Sequence, residues 1–246
     1  MYSYSAEGNA ILLHSVPNFA LVITDGESVN TLQHFAYVLD CISLLVKHHI
    51  STIGSRHLAI INIPHAECPT CFRADHYIVL HTSPSRWSQI AYQYAHELCH
   101  YSIPENVAEN LRWFEESICE TASLYFLRQI AYLWMDRKEN LITSDGAPYA
   151  PSFIEYANDT ATKFTAFDFR DPVAIRELES DCYDRKRNMH LANALLPIFI
   201  DHPETWEAVP YLCQVNEKTL IASLDAWILV SPPQAQPGLR RIRNLF

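Results

Sequence analysis

Five glycines in 246 residues leave this chain almost no positions where the backbone can turn left-handed without steric cost. Folds that grip phosphates through bare backbone need glycine-rich loops, and neither GxGxxG nor GxxxxGK[ST] occurs. Helices need little glycine and are the favoured element. The 14 prolines are scattered and no low-complexity tract is present, which excludes collagen-like, linker and largely disordered chains. With 49% hydrophobic residues, the length suits one domain with a sizeable core.

Apolar spacing divides the chain into a mixed first part and a helical second part. Residues 10–16 and 19–24 read as strands, with Asp25-Gly26 as the turn after the second. From 29 to about 48, Leu32, Phe35, Ala36, Leu39, Ile42, Leu45 and Val46 recur at steps of three and four, the period of a helix lying on a sheet. Two β-branched runs follow, at 57–63 and 77–82, separated by turn residues. Ser83-Pro84 reads as a helix start, the helix running to Tyr101 before Pro104. Further helices are expected near 105–137, 151–164, 172–200, 203–214 and 217–230. No Gly/Ser linker divides the two parts, so the expectation is one α+β domain over 1–231. It comprises a small sheet and helices (1–103), a helical half (104–231), and a Pro/Arg-containing tail at 232–246.

A formal net charge of −10, from 18 basic and 28 acidic side chains, argues against an electrostatic grip on nucleic acid or an anionic membrane. The one basic cluster, Arg240, Arg241 and Arg243, sits in that tail. No signal-peptide pattern opens the chain, and the apolar runs at 36–46, 191–200 and 220–231 fall short of the ~20 residues that span a bilayer. Seven cysteines, an odd number spread thinly, fit a reducing compartment, and the expectation is a cytoplasmic protein.

The chemistry is concentrated in His96-Glu97-Leu98-Cys99-His100. In a helix, i and i+4 share a face, so His96 and His100 can converge on one ion while Glu97 holds a water beside it. Such a group is a zinc site with a built-in base. A second acidic helix follows, in which Glu116 and Glu120 share a face at i, i+4 whereas Glu115 meets Cys119. Glu116 is read as the third ligand, and Glu120 as the carboxylate that receives the other ring N–H of a liganding histidine.

These residues resemble the gluzincin branch of the zincin metallopeptidases, with an HExxH helix and a downstream glutamate. Trp113-Phe114-Glu115-Glu116-Ser117 resembles the W-x-N-E-G stretch of aminopeptidase-type members, with a shorter gap from His100 and Ser117 in place of glycine. The likeness spans 77–124. Metzincins need HExxHxxGxxH, and Ile103 and Asn106 exclude that pattern. The resemblance implies a zincin-like fold, one catalytic Zn2+, and hydrolysis of a peptide or protein substrate. It also implies a substrate-aligning edge strand just before the active-site helix, here Tyr77, Val79 and His81. An oxyanion donor belongs downstream, with Tyr183 and His190 as the candidates and Arg185 and Arg187 nearby. The alternative is a zincin-fold binding or regulatory module that no longer cleaves. Cys68-Pro69-Thr70-Cys71, flanked by His65 and His76, could hold a second, structural ion. Oligomeric state is left open.

Overall fold

A computed structural model of the chain describes residues 3–24, 27–137 and 148–246. The Asp25-Gly26 turn lies outside the described residues. Six strands form one sheet, β1 (Ala6–Glu7), β2 (Ala10–Leu12), β3 (Phe19–Val22), β4 (Leu58–Asn62), β5 (Thr70–Phe72) and β6 (Tyr77–Leu80), in the order β1-β2-β3-β4-β6-β5. β1, β2 and β3 are antiparallel neighbours, β3-β4-β6 run parallel, and β5 returns antiparallel to β6 with Cys71 opposite Ile78. The parallel β3–β4 pair needs a crossover, and α1 (Val29–His49) supplies it, capped by Ser28 accepting from the Thr31 N–H. The architecture is therefore mixed α/β, a small N-terminal sheet joined to many helices.

α1 buries Leu32, Phe35, Ala36, Leu39, Ile42 and Val46 in the core. By length and composition it is apolar enough to cross a membrane, although the 36–46 run alone is too short. Scarce glycine shows in the turns: among the described residues, only Gly8 and His76 adopt positive φ, at 64° and 58°. His76 holds this position at the β5–β6 turn, with Nδ1 3.1 Å from Tyr101 Oη.

The helix that carries His96 and His100 does not start at Ser83-Pro84. Those residues form a turn closed by Arg86 N–H donating to the Ser83 carbonyl (3.0 Å), and α2 runs Trp87–Ser102 with no side-chain cap. The entry is held by Gln93 instead, which accepts from the His81 N–H (3.0 Å) and donates to the His81 carbonyl (2.9 Å). α3 (Arg112–Arg137) crosses α2, followed by α4 (Ala150–Ala161).

The helix expected over 172–200 is broken into α5 (Pro172–Ser180) and α6 (Arg185–Asp201). Two aspartates make the break, because Asp181 Oδ1 accepts from Tyr183 N–H (3.3 Å) and Asp184 caps α6 by accepting from Arg187 N–H (3.1 Å). A 3-10 segment (Pro203–Gln214) and α7 (Leu220–Val230) follow.

The C-terminal residues are docked on the fold rather than solvated. They form α8 (Gln236–Arg243), with Leu239 and Ile242 buried, Arg241 paired to Asp201 (2.9 Å) and Arg243 to Asp225 (3.1 Å). The Phe246 ring lies edge-on to Trp113 and Phe114 (centroids 6.3 and 6.2 Å), so the end of the chain braces the first turn of α3. A Cβ at Gly238 would overlap Thr205 Oγ1 and sit 3.1 Å from Thr205 Cβ and 3.2 Å from His202 Cβ. Gly238→Ala is therefore predicted to cost about 1–3 kcal/mol by overpacking, read as a lower urea midpoint at unchanged slope. A midpoint matching the parent chain would show that α8 is not seated there.

Candidate metal centre

α2 and α3 pack so that His96, Glu97 and His100 on one helix face Glu115, Glu116 and Glu120 on the other. Among the described residues, His96, His100 and Glu116 are the group of three or more potential ligands that converges, with one donor atom from each lying within 4.8 Å of the others. His96 Nε2 is 3.3 Å from Glu116 Oε2, and His100 Nε2 is 3.5 Å from Glu116 Oε1. Ligands at about 2.0–2.1 Å from a tetrahedral ion stand about 3.3–3.4 Å apart, so both contacts match the edge of a zinc tetrahedron. Two imidazoles and a carboxylate also suit zinc chemically.

Glu115, not Glu120, makes the direct carboxylate contact. His100 Nδ1 lies 2.7 Å from Glu115 Oε1, which also accepts from Arg73 Nη2; a further Arg73 nitrogen donates to the Glu105 carbonyl (2.8 Å). With Nδ1–H donating to Glu115, Nε2 keeps its lone pair for an ion. Glu120 sits 3.9 Å from His96 Nδ1, beyond hydrogen-bond reach, and accepts from the Tyr92 hydroxyl. Glu115 escaped the sequence reading because i, i+4 spacing reports one helix face, whereas the α2–α3 crossing decides which faces meet.

Burial disfavours the charged form of every group here, and pairing overrides it for most. Despite burial, the hydrogen bonds and charges of His100 and His96 hold the Glu116 carboxyl well below the usual range. Burial likewise opposes ionisation of Glu115, yet His100 and Arg73 keep it low. Both histidines sit above the ordinary imidazole value, the carboxylates outweighing desolvation. Glu97 is the exception: its carboxyl is raised by burial, and it has no hydrogen-bond or ion-pair partner among the described residues.

These groups open on a cavity of about 520 Å³. Its other walls are the β5 segment from Cys68 to Asp75, Asn106, Val107 and Arg112 before and at the start of α3, and Cys182, Tyr183 and Arg185 at the α5–α6 break. Tyr183, 71% exposed, is thus at the site. His190 is not: its ring stacks on Phe164 at 5.2 Å and its Nδ1 accepts from the Phe167 N–H, so it belongs to an aromatic cluster elsewhere on α6.

The expected edge strand is also displaced. Tyr77 and Val79 lie on β6, which is paired on both sides, by β4 and by β5, and Gln93 occupies the main-chain groups of His81. The open edge is β5, whose strand was hidden in a turn-rich sequence. No second metal group assembles among the described residues. Cys68 and Cys71 are free thiols on the cavity wall, Cys71 pushed up to about 12 by burial, while His76 is turned to Tyr101.

Comparison with protein-family models, with curated proteins and with solved structures found no match to this chain.

Because both histidines are held protonated above pH 6.5 in the ion-free chain, an ion must displace protons. Zinc affinity is predicted to climb with pH through and above 6.5. Binding is expected to release protons, read by calorimetry in buffers of different ionisation enthalpy. Glu115→Gln, which keeps an acceptor for His100 but removes the charge, is predicted to weaken zinc binding about 10–100-fold. An unchanged affinity would remove Glu115 from the site.

Proposed function

We propose that this chain is a zinc-dependent hydrolase of the gluzincin type that cleaves peptide bonds. The observation that carries the reading is the conjunction of a converging His96–His100–Glu116 group, both histidines 3.3–3.5 Å from Glu116, with an unpartnered, buried Glu97 carboxylate on the same cavity. A histidine pair kept only for structure has no use for an unpaired buried acid beside it, since burying one without compensation is costly.

His96, His100 and Glu116 would hold the ion, and Glu115 with Arg73 fixes the His100 tautomer. When bound, zinc supplies Lewis-acid polarisation of a carbonyl and lowers the pKa of water. Glu97 takes the proton from the attacking water. Its raised pKa brings it closer to the range where it can then pass that proton to the leaving amine. We assign Tyr183 as the donor to the developing oxyanion, since its side chain lies on the cavity wall and is free to swing. The open edge of β5 can pair with an extended peptide by main-chain hydrogen bonds, which gives affinity without strong side-chain selectivity.

Glu97→Gln is expected to retain zinc at the same stoichiometry and lose about 10²–10⁴-fold in turnover of an unbiased peptide pool, read by mass spectrometry. Chelation should abolish turnover in the parent chain and zinc should restore it. Full activity in Glu97→Gln would sink the assignment, and bound zinc with no cleavage by the parent chain would favour a binding role.

A further inference from the structure

The cavity wall carries more positive charge than the metal centre uses. Three arginines line it, and Arg73 is committed to Glu115 and the Glu105 carbonyl. Arg112 and Arg185 are not committed: among the described residues neither makes a hydrogen bond or an ion pair. Of the cavity carboxylates, Glu97 feels the charge of Arg185 without forming an ion pair with it. Glu115 and Glu116 face the histidines, and Asp75, on the β5–β6 turn, lies within ion-pair distance of neither.

Their position in the fold is also unfavourable. Arg112 is the first residue of α3 and Arg185 the first of α6. A helix N-terminus carries positive partial charge, so a cation there is repelled where an acid would be stabilised. α6 has no acidic residue in its first turn and opens Arg185-Lys186-Arg187, of which Arg187 is paired with Glu177 and Asp184. Asp184 caps α6 and Glu115 stands in the first turn of α3, yet neither pairs with these arginines, so two guanidinium groups beside one cavity are left without an ion pair in a chain of net charge −10.

We propose that Arg112 and Arg185 form a carboxylate-binding subsite beside the metal centre, selecting peptides that present a carboxylate near the bond to be cut. The guanidinium fork matches a carboxylate in geometry and charge. That carboxylate can be a free peptide C-terminus or an Asp or Glu side chain. The substrate class rests on the hydrolase reading, but the binding it predicts can be measured without turnover.

The test uses the full chain, zinc-loaded and carrying Glu97→Gln so that peptides bind uncut. Three labelled hexapeptide pools are titrated by fluorescence polarisation. One lacks Asp and Glu and has free C-terminal carboxylates, one lacks both and is amidated, and one is amidated with a single fixed Glu. At least one anionic pool is expected to bind about tenfold or more tightly than the neutral pool, the worth of one charge-assisted contact. Which pool gains identifies the source of the carboxylate. Adding Arg112→Gln and Arg185→Gln, both at exposed positions, should reduce the difference below about threefold.

Equal binding of the pools, no measurable binding, or a preference that survives the arginine substitutions overturns the subsite; the last would mean that the ion itself reads the anion. Cleavage of the same pools by the parent chain is scored separately. A preference without cleavage removes the hydrolase and keeps the subsite, whereas cleavage without preference does the reverse.

Discussion

Burying several carboxylates and two imidazoles between a pair of helices is tenable only when each charge faces an opposite one, because desolvation penalises every ionised group. The α2–α3 crossing meets that demand as a chain of contacts. Arg73 faces Glu115, Glu115 faces His100, and His100 and His96 both face Glu116. The remaining structure serves to hold this crossing. β6 delivers the chain into α2, Gln93 ties the entry down, and Phe246 from the far end of the chain braces Trp113 and Phe114, next to Glu115. Glu97 alone has no hydrogen-bond or ion-pair partner among the described residues, and burial outweighs the nearby positive charges of His96, His100 and Arg185.

The scaffold divides labour between its halves. The sheet places Arg73 at the end of β5, where one guanidinium reaches across to α3, and leaves β5 open along its outer side. The helical half supplies the other wall through a discontinuity: Asp181 and Asp184 divert local hydrogen bonds, break one expected helix in two, and turn Cys182, Tyr183 and Arg185 towards the cavity. With glycine so scarce, these turns are made by side-chain hydrogen bonding and, at His76, by a left-handed residue held by Tyr101.

What could be read directly from residues was whatever depends on one element at a time. The i, i+4 spacing of His96 and His100 is a property of any α-helix, so their convergence follows from the sequence, and the period of α1 gave its extent to within a residue. Glu116, on the next helix, was legible as a candidate from its i, i+4 pairing with Glu120, and the packing of α3 on α2 brings it to both histidines. Readings that needed a relation between elements went astray. The resemblance implies an edge at Tyr77, Val79 and His81, and β5, three residues long and set among turn formers, leaves little periodicity to reveal that it lies outside them. His190 shares α6 with the cavity residues at its start but lies far enough along the helix to face an aromatic cluster instead.

The sequence by itself determined the two imidazoles on one helix face, the acid beside them and the mixed sheet-and-helix character, because these follow from backbone periods and side-chain chemistry within one segment. Only the tertiary structure decided that Glu115 rather than Glu120 touches His100, that Arg73 stands behind it, and that Arg112 and Arg185 share the cavity unpaired. The physical reason is that such contacts depend on the angle and offset at which α2, α3, β5 and α6 pack. Side chains distributed over the whole chain set that geometry, and no local pattern contains it.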